Sequence, residues 1–289
     1  MEGLKKLFLP ITATLGFIQK YFKSMLFLLL LFVLFAPQDE QSLVSNNLQE
    51  IKLIGPIFDT TEVVEALDKA REDEHIKGIL LTVDSPGGTV PPSIEVMEAV
   101  KRIKGIKPIV IYAAGTLASG SYYASCYADE IIANPGSMVG SIGVIMHGAN
   151  VSGLMSKIGI SSQVIQAGKY KQVGTADRAW NKAEKKELNK VIQDTYMTFV
   201  HDVAKGRGLD PKNYKTYADA HIFTASQAKK IGLVDSLGVM YDAKNRVAEL
   251  AKVDEARWNK EDKFDKLIKK LSAETATMVH IYFPELSLR

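Results

Sequence analysis

The sequence predicts an α/β fold with largely parallel strand pairing, set behind an N-terminal membrane anchor. Two patterns predict it. From residue 50 onward, short apolar strands alternate with amphipathic helices, the order that builds a parallel sheet. Ahead of them, residues 25–36 read MLFLLLLFVLFA, with no polar face to put in water. A length of 289 residues is enough for a sizeable core.

The anchor comes first in the chain. Lys5, Lys6, Lys20 and Lys23 precede the apolar run, and Asp39 and Glu40 follow it. The run is short for a bilayer core of roughly 20 residues. It suffices if Tyr21 and Phe22 sit at the interface and Lys23 snorkels. The lysine bias predicts a cytoplasmic N-terminus, with the rest of the chain across the cytoplasmic membrane. We read the segment as an uncleaved anchor rather than a cleaved signal peptide, because no A-x-A-like site is present and Pro37 directly follows Ala36. Residues 1–36 thus form a cytoplasmic segment with anchor, and the polar residues 37–48 a linker.

Residues 49–245 hold the main domain. Residues 50–54 and 78–83 read as strands, with Val63, Val64, Leu67 and Ala70 marking a helix between them. Ile94, Val96, Met97, Val100 and Ile103 mark a second helix, and residues 109–112 a third strand. Residues 183–205 form the longest helix. Its core face carries Leu188, Val191, Ile192, Tyr196, Phe199 and Val203, and Gly206 is expected to end it. Residues 246–289 are a helical extension in which Phe264, Leu267, Ile268 and Leu271 form an apolar stripe, read as packing on its own domain.

Composition narrows the chemistry. The net charge of +3 is small and the lysines are scattered, which argues against nucleic acid. One cysteine, Cys126, permits no intrachain disulfide. The five histidines, His75, His147, His201, His221 and His280, lie far apart, so neither metal spacing nor a cofactor is indicated.

Three segments could carry a reaction. Asp84-Ser85-Pro86-Gly87-Gly88 follows a strand and precedes a helix, so its glycines either make a plain turn or present backbone N–H donors. In Ala118-Ser119-Gly120-Ser121-Tyr122-Tyr123 a serine enters an apolar segment, as a simple N-cap or as a nucleophile with the Gly120 N–H beside it. Gly168-Lys169-Tyr170-Lys171 is a solvated basic loop or the source of a base, and it is not a phosphate loop. Cys126 reads as core, His221 as structural, and Asp84 as a turn or capping residue.

Taken together, D-S-P-G-G, A-S-G-S-Y-Y-A, V-G-S-I-G-V-I and G-K-Y-K resemble bacterial signal peptide peptidase A (protease IV) in its short, single-copy form, over roughly residues 50–245 plus the anchor. The resemblance implies a Clp protease/crotonase-like spiral of ββα units. It implies Ser119 as nucleophile, Lys171 as general base with Lys169 the decoy, Ser141 orienting the lysine, and Gly88 and Gly120 as oxyanion donors. Ser121 departs from the glycine more usual there. The implied activity is membrane-bound degradation of cleaved signal peptides, without metal or cofactor. The implied assembly is a homo-oligomeric ring in which one protomer's serine meets the next protomer's lysine. The chemistry is coherent, because serine needs an adjacent base and lysine serves only when neutral, a state that apolar burial favours. The rival expectations are a crotonase-fold enzyme acting on acyl thioesters and an inactive tethered scaffold.

Overall fold

The computed structural model describes residues 19–28 and 45–259. Residues 19–28 are helical and exposed. The rest of the expected anchor and the stripe from Phe264 to Leu271 lie outside the described residues. Among the described residues no helix is long and apolar enough to cross a membrane.

The main unit is a seven-stranded mixed sheet. Strands β1 (Leu48–Ile54), β2 (Gly78–Ser85), β3 (Ile109–Ala118), β4 (Glu130–Ala133) and β7 (Ser236–Leu237) lie side by side in that order, all parallel. Strand β5 (Met138–Gly140) pairs parallel with β3, and β6 (Ile222–Thr224) pairs antiparallel with β5. Helices α1 (Thr61–Glu72) and α2 (Val90–Ile103) make the first two crossovers. The run Ile79-Leu80-Leu81 in β2 is buried throughout, as expected of a strand covered on both faces. Period-two alternation divides it. Ile79, Leu81, Ile109 and Ile111 face one cluster with α1 and α2, while Leu80, Val110 and Tyr112 face α7 (Met240–Leu250).

Strand β3 changes partner along its length. Residues 110–113 pair with β4, and residues 116–118 pair with β5. Its register with β2 shifts between Val83 and Ser85. Asp84 sits at that irregularity and accepts the Thr116 N–H at 2.8 Å, a bond between neighbouring strands rather than the turn or capping role read from the sequence. Gly115 is required there, since a Cβ would stand 2.6 Å from the Asp84 carboxylate.

Helix α3 (Gly120–Ser125) follows β3, and α4 (Ser152–Lys157) is a short helix beyond β5. Helix α5 (Lys182–Arg207) is the longest, at 26 residues. It does not end at Gly206. It runs to Arg207 and is capped by Gly208 at φ 64°. Gly206 has another use: a Cβ there would lie 2.4 Å from the Cys126 carbonyl, so this glycine lets α5 cross close to the end of α3. Only the C-terminal part of the expected core face is buried, with Phe199, Val200, Val203 and Ala204, whereas Val191 is exposed. Cys126 is buried in the core, and burial pushes its thiol up, away from reactivity.

Helix α6 (Ala225–Lys230) leads to β7 and α7. The boundary drawn at residues 245/246 falls within α7, where Val247 is buried. The chain then returns to β1: Asn47 and Leu48 donate to the Arg257 carbonyl, and Asn259 accepts the Glu50 N–H.

Candidate active site

Ser119 stands between the end of β3 and the start of α3, with φ 54° and ψ −124°. This conformation is costly for a residue with a Cβ and persists only when its surroundings over-determine it. The Ser119 N–H donates to the Gly140 carbonyl at 2.8 Å, and the Ser119 carbonyl accepts from Tyr123 N–H at 3.0 Å. Ser121, fully buried, accepts the Ala118 N–H at 2.9 Å and donates to the Ser85 carbonyl at 2.7 Å. It ties the end of β3 to the end of β2. The departure from glycine at this position is therefore a strut, a role that nothing in the motif announces.

The glycine turn lies alongside. Gly87 has φ 88°, a region that favours glycine. The backbone of Ile57 bridges to Gly88 through the Gly87 carbonyl and the Thr89 N–H, which leaves the Gly88 N–H outside the bridge. A Cβ on Gly120 would lie 3.2 Å from the Gly88 nitrogen. The two amide groups thus lie close together, and neither meets an acceptor among the described residues. Paired backbone donors in a fixed frame suit the oxyanion of a tetrahedral intermediate.

A cavity of about 170 Å³ opens here, lined by Gly88, Ser119, Gly120 and Ser141. Its apolar wall is Val90, Val144, Ile145, Ala220, Phe199 and Tyr123. The Tyr123 ring stacks on Phe199 at 4.3 Å. Asp202 anchors this wall from behind, accepting from Tyr123 Oη at 2.5 Å and Tyr127 Oη at 2.9 Å. Burial and the adjacent Asp202 push both phenols up, so they remain donors.

Backbone strain concentrates at this cavity. Five described non-glycine residues have positive φ: Ser119, Ser141, Asp219, Ala220 and Lys252. Three of them, Ser119, Ser141 and Ala220, line the cavity, and Asp219 directly precedes Ala220. The Ser141 N–H donates to the His221 carbonyl at 2.7 Å, and the Ala220 N–H to the Ile142 carbonyl at 2.9 Å. His221 thus contributes its backbone, while its ring leans on Phe223.

Lys171 is placed differently. It sits on a turn, donating its N–H to the Gly168 carbonyl at 3.2 Å, and its side chain is exposed. Lys171 does not line the cavity that holds Ser119, Ser141, Gly88 and Gly120. Lys169 lies over the Tyr170 ring at 5.4 Å. Among the described residues no group of three or more His, Cys, Asp or Glu is placed to hold a metal ion.

Residues 101–254, slightly more than half of the chain, match Peptidase family S49. The chain belongs to peptidase family S49. The matched S49 segment contains Ser119, Gly120, Ser141 and Lys171. A putative protease of Methanocaldococcus jannaschii is 43% identical over 68% of this chain and 63% of its own length. A putative signal peptide peptidase SppA of Enterococcus faecium is 38% identical over 66% of this chain and 56% of its own length. The chain therefore spans less than two thirds of either relative. A solved structure of a membrane-bound stomatin-specific protease, a lysine-to-alanine mutant in complex with a substrate peptide, shares the S49 chain's fold with a TM-score of 0.53 at 17% identity. It covers 80% of this chain and 100% of its own.

Proposed function

We propose that this S49 serine peptidase is a membrane-anchored endopeptidase in which Ser119 is the nucleophile and Lys171 the general base. On this reading its substrates are signal peptides left in or near the cytoplasmic membrane, and its sheet is the core of a ββα spiral. The observation that carries it is the position of Ser119, held in a strained conformation at the mouth of an apolar cavity beside two unpaired backbone N–H groups.

With Lys171 brought to Ser119, the reaction proceeds in two stages. Ser119 Oγ attacks the scissile carbonyl carbon as its proton passes to the neutral Nζ of Lys171. The carbonyl oxygen, now anionic, lies between the N–H groups of Gly88 and Gly120. Collapse of the intermediate breaks the C–N bond, and the Lys171 ammonium returns its proton to the leaving amine. Water then attacks the acyl-enzyme, giving up a proton to Lys171; collapse of the second intermediate breaks the ester C–O bond, and the Lys171 ammonium returns that proton to Ser119 Oγ. The Ser141 hydroxyl orients the amine throughout.

In a single chain Lys171 is exposed and lies off the Ser119 cavity, which supports a dyad shared between neighbouring protomers. Ile145, Leu154, Ile158, Ile160, Val164 and Ile165 are all exposed around the same segment, a surface that a second copy would cover. An apolar cover would also disfavour a lysine ammonium. The apolar cavity wall suits apolar peptides, and the Enterococcus relative carries the name of a putative signal peptide peptidase. Lys5, Lys6, Lys20 and Lys23 support a cytoplasmic N-terminus with the catalytic unit across the membrane.

The test is cleavage of a synthetic signal peptide by the detergent-solubilised full chain. Ser119→Ala and Lys171→Ala should each abolish cleavage, and Lys169→Ala should retain most of it. Activity in Lys171→Ala with loss in Lys169→Ala would reverse the base assignment.

A further inference from the structure

We propose that Arg178 is a positioning residue for Lys171, holding the lysine's turn to the start of α5 by gripping the adjacent residue, Gln172. The proposal rests on the reading of Lys171 as base.

The contacts of Arg178 account for all five of its N–H donors. Nε donates to Gln172 Oε1 at 3.1 Å. Nη2 donates to the Gln172 carbonyl at 3.3 Å and to Glu184 Oε1 at 2.5 Å. Nη1 donates to Glu184 Oε2 at 2.9 Å and to the Ala179 carbonyl at 3.3 Å. One planar group thus joins the residue next to Lys171 to the first turn of the longest helix.

Glu184 is fixed just as tightly. It is a charged residue that the fold buries. It accepts the Asn181 N–H at 2.9 Å, while its own N–H donates to Asn181 Oδ1 at 3.0 Å. A buried carboxylate needs a partner and full hydrogen bonding, and Arg178 supplies both in bidentate form. Arg178 and the Asn181 N–H hold the Glu184 carboxyl down at about 2, so the clamp stays charged throughout the neutral range.

Helix α5 gives the clamp a rigid base. Its C-terminal half is core, and its Phe199 lines the Ser119 cavity. The turn has other ties, from Trp180 Nε1 to the Thr175 carbonyl at 2.8 Å and from the Val151 N–H to the Ala176 carbonyl at 2.8 Å. Those ties leave the segment folded without Arg178. Gln172 has one further tie, from the Thr175 N–H to its carbonyl at 3.3 Å, which does not hold its side chain or reach α5, so the loss of Arg178 loosens the chain beside Lys171.

A base displaced by about 1 Å lowers turnover on the order of 100-fold. Arg178→Ala in the full chain should therefore lower kcat by about that factor with KM within about twofold. Millimolar guanidinium should restore part of kcat in Arg178→Ala and none in Lys171→Ala. Arg178→Lys should stay low, because an ammonium cannot make the bidentate fork. A simple helix cap would move the melting temperature and leave kcat unchanged. If Lys171→Ala is inactive while folded Arg178→Ala keeps the parental kcat, the positioning role is overturned and the base assignment stands. If Lys171→Ala is active, the base assignment itself fails. Should Arg178→Ala not fold, Glu184→Gln replaces it: a fall in kcat at constant KM supports the clamp, and an unchanged kcat overturns it.

Discussion

Serine and alanine have no intrinsic reason to adopt positive φ, yet Ser119, Ser141 and Ala220 all do so around one cavity. That strain was not legible in the sequence, because residue type signals positive φ only through glycine and, less strongly, asparagine or aspartate. The glycines were legible. D-S-P-G-G and A-S-G pointed to two backbone donors, and the Gly88 and Gly120 backbones lie close together beside Ser119. Gly88 has no room for a side chain, since a Cβ would sit 2.0 Å from the Ile57 carbonyl oxygen. Gly88→Ala should lower stability by about 1–3 kcal/mol, measured by denaturant titration, as the backbone shifts to relieve the overlap. It should also remove cleavage even where the protein stays folded, because the shift turns one donor away. Parental activity in Gly88→Ala would remove that amide from the oxyanion site.

At the scale of elements, α5 marks how far periodicity reaches. Its apolar spacing identified the helix within a residue or two of each end. It also overstated the core, because the spacing continues into a half that carries the exposed Val191. Periodicity reports which residues share a face, and what covers that face depends on neighbours distant in sequence. The cap was missed for a related reason: Asn181 and Glu184 read as ordinary polar residues until the helix start is known. Asn181→Ala should cost about 1 kcal/mol in thermal or chemical unfolding. The Glu184 carboxyl lies below its unfolded value, so its contribution is fully present above roughly pH 4.3 and is lost as pH falls toward 2. Melting curves of the parent and Glu184→Gln should therefore differ at pH 7 and draw together as pH falls toward 2. A gap that stays constant over that range would place the stabilisation elsewhere than the Arg178 pair.

At the scale of the molecule, the first three strands and their crossovers were legible because each is a continuous apolar run with clear helical spacing between. The short strands β5, β6 and β7 were not, since two or three residues carry no period. The motifs named Ser119 and Lys171 together, while in the single chain Lys171 does not line the Ser119 cavity, because a motif records residue order and carries no distance. Mixed oligomers of Ser119→Ala and Lys171→Ala should recover part of the cleavage that each variant lacks alone. Cleavage by the parent should also fall faster than in proportion on dilution. No recovery, with mixed assembly verified by native mass spectrometry, would assign each chain its own dyad.

The change of partner along β3 has a consequence for exchange with solvent. Residues 110–113 lie between β2 and β4, whereas the Thr116 amide is held by the Asp84 side chain. One carboxylate therefore governs the Thr116 amide, in the stretch where β3 departs from regular register with β2. In deuterium labelling, Asp84→Ala should quicken uptake at Thr116 by at least tenfold and leave residues 110–113 as slow as in the parent. The strand that leads to Ser119 would then loosen at its working end while its buried end stays shut.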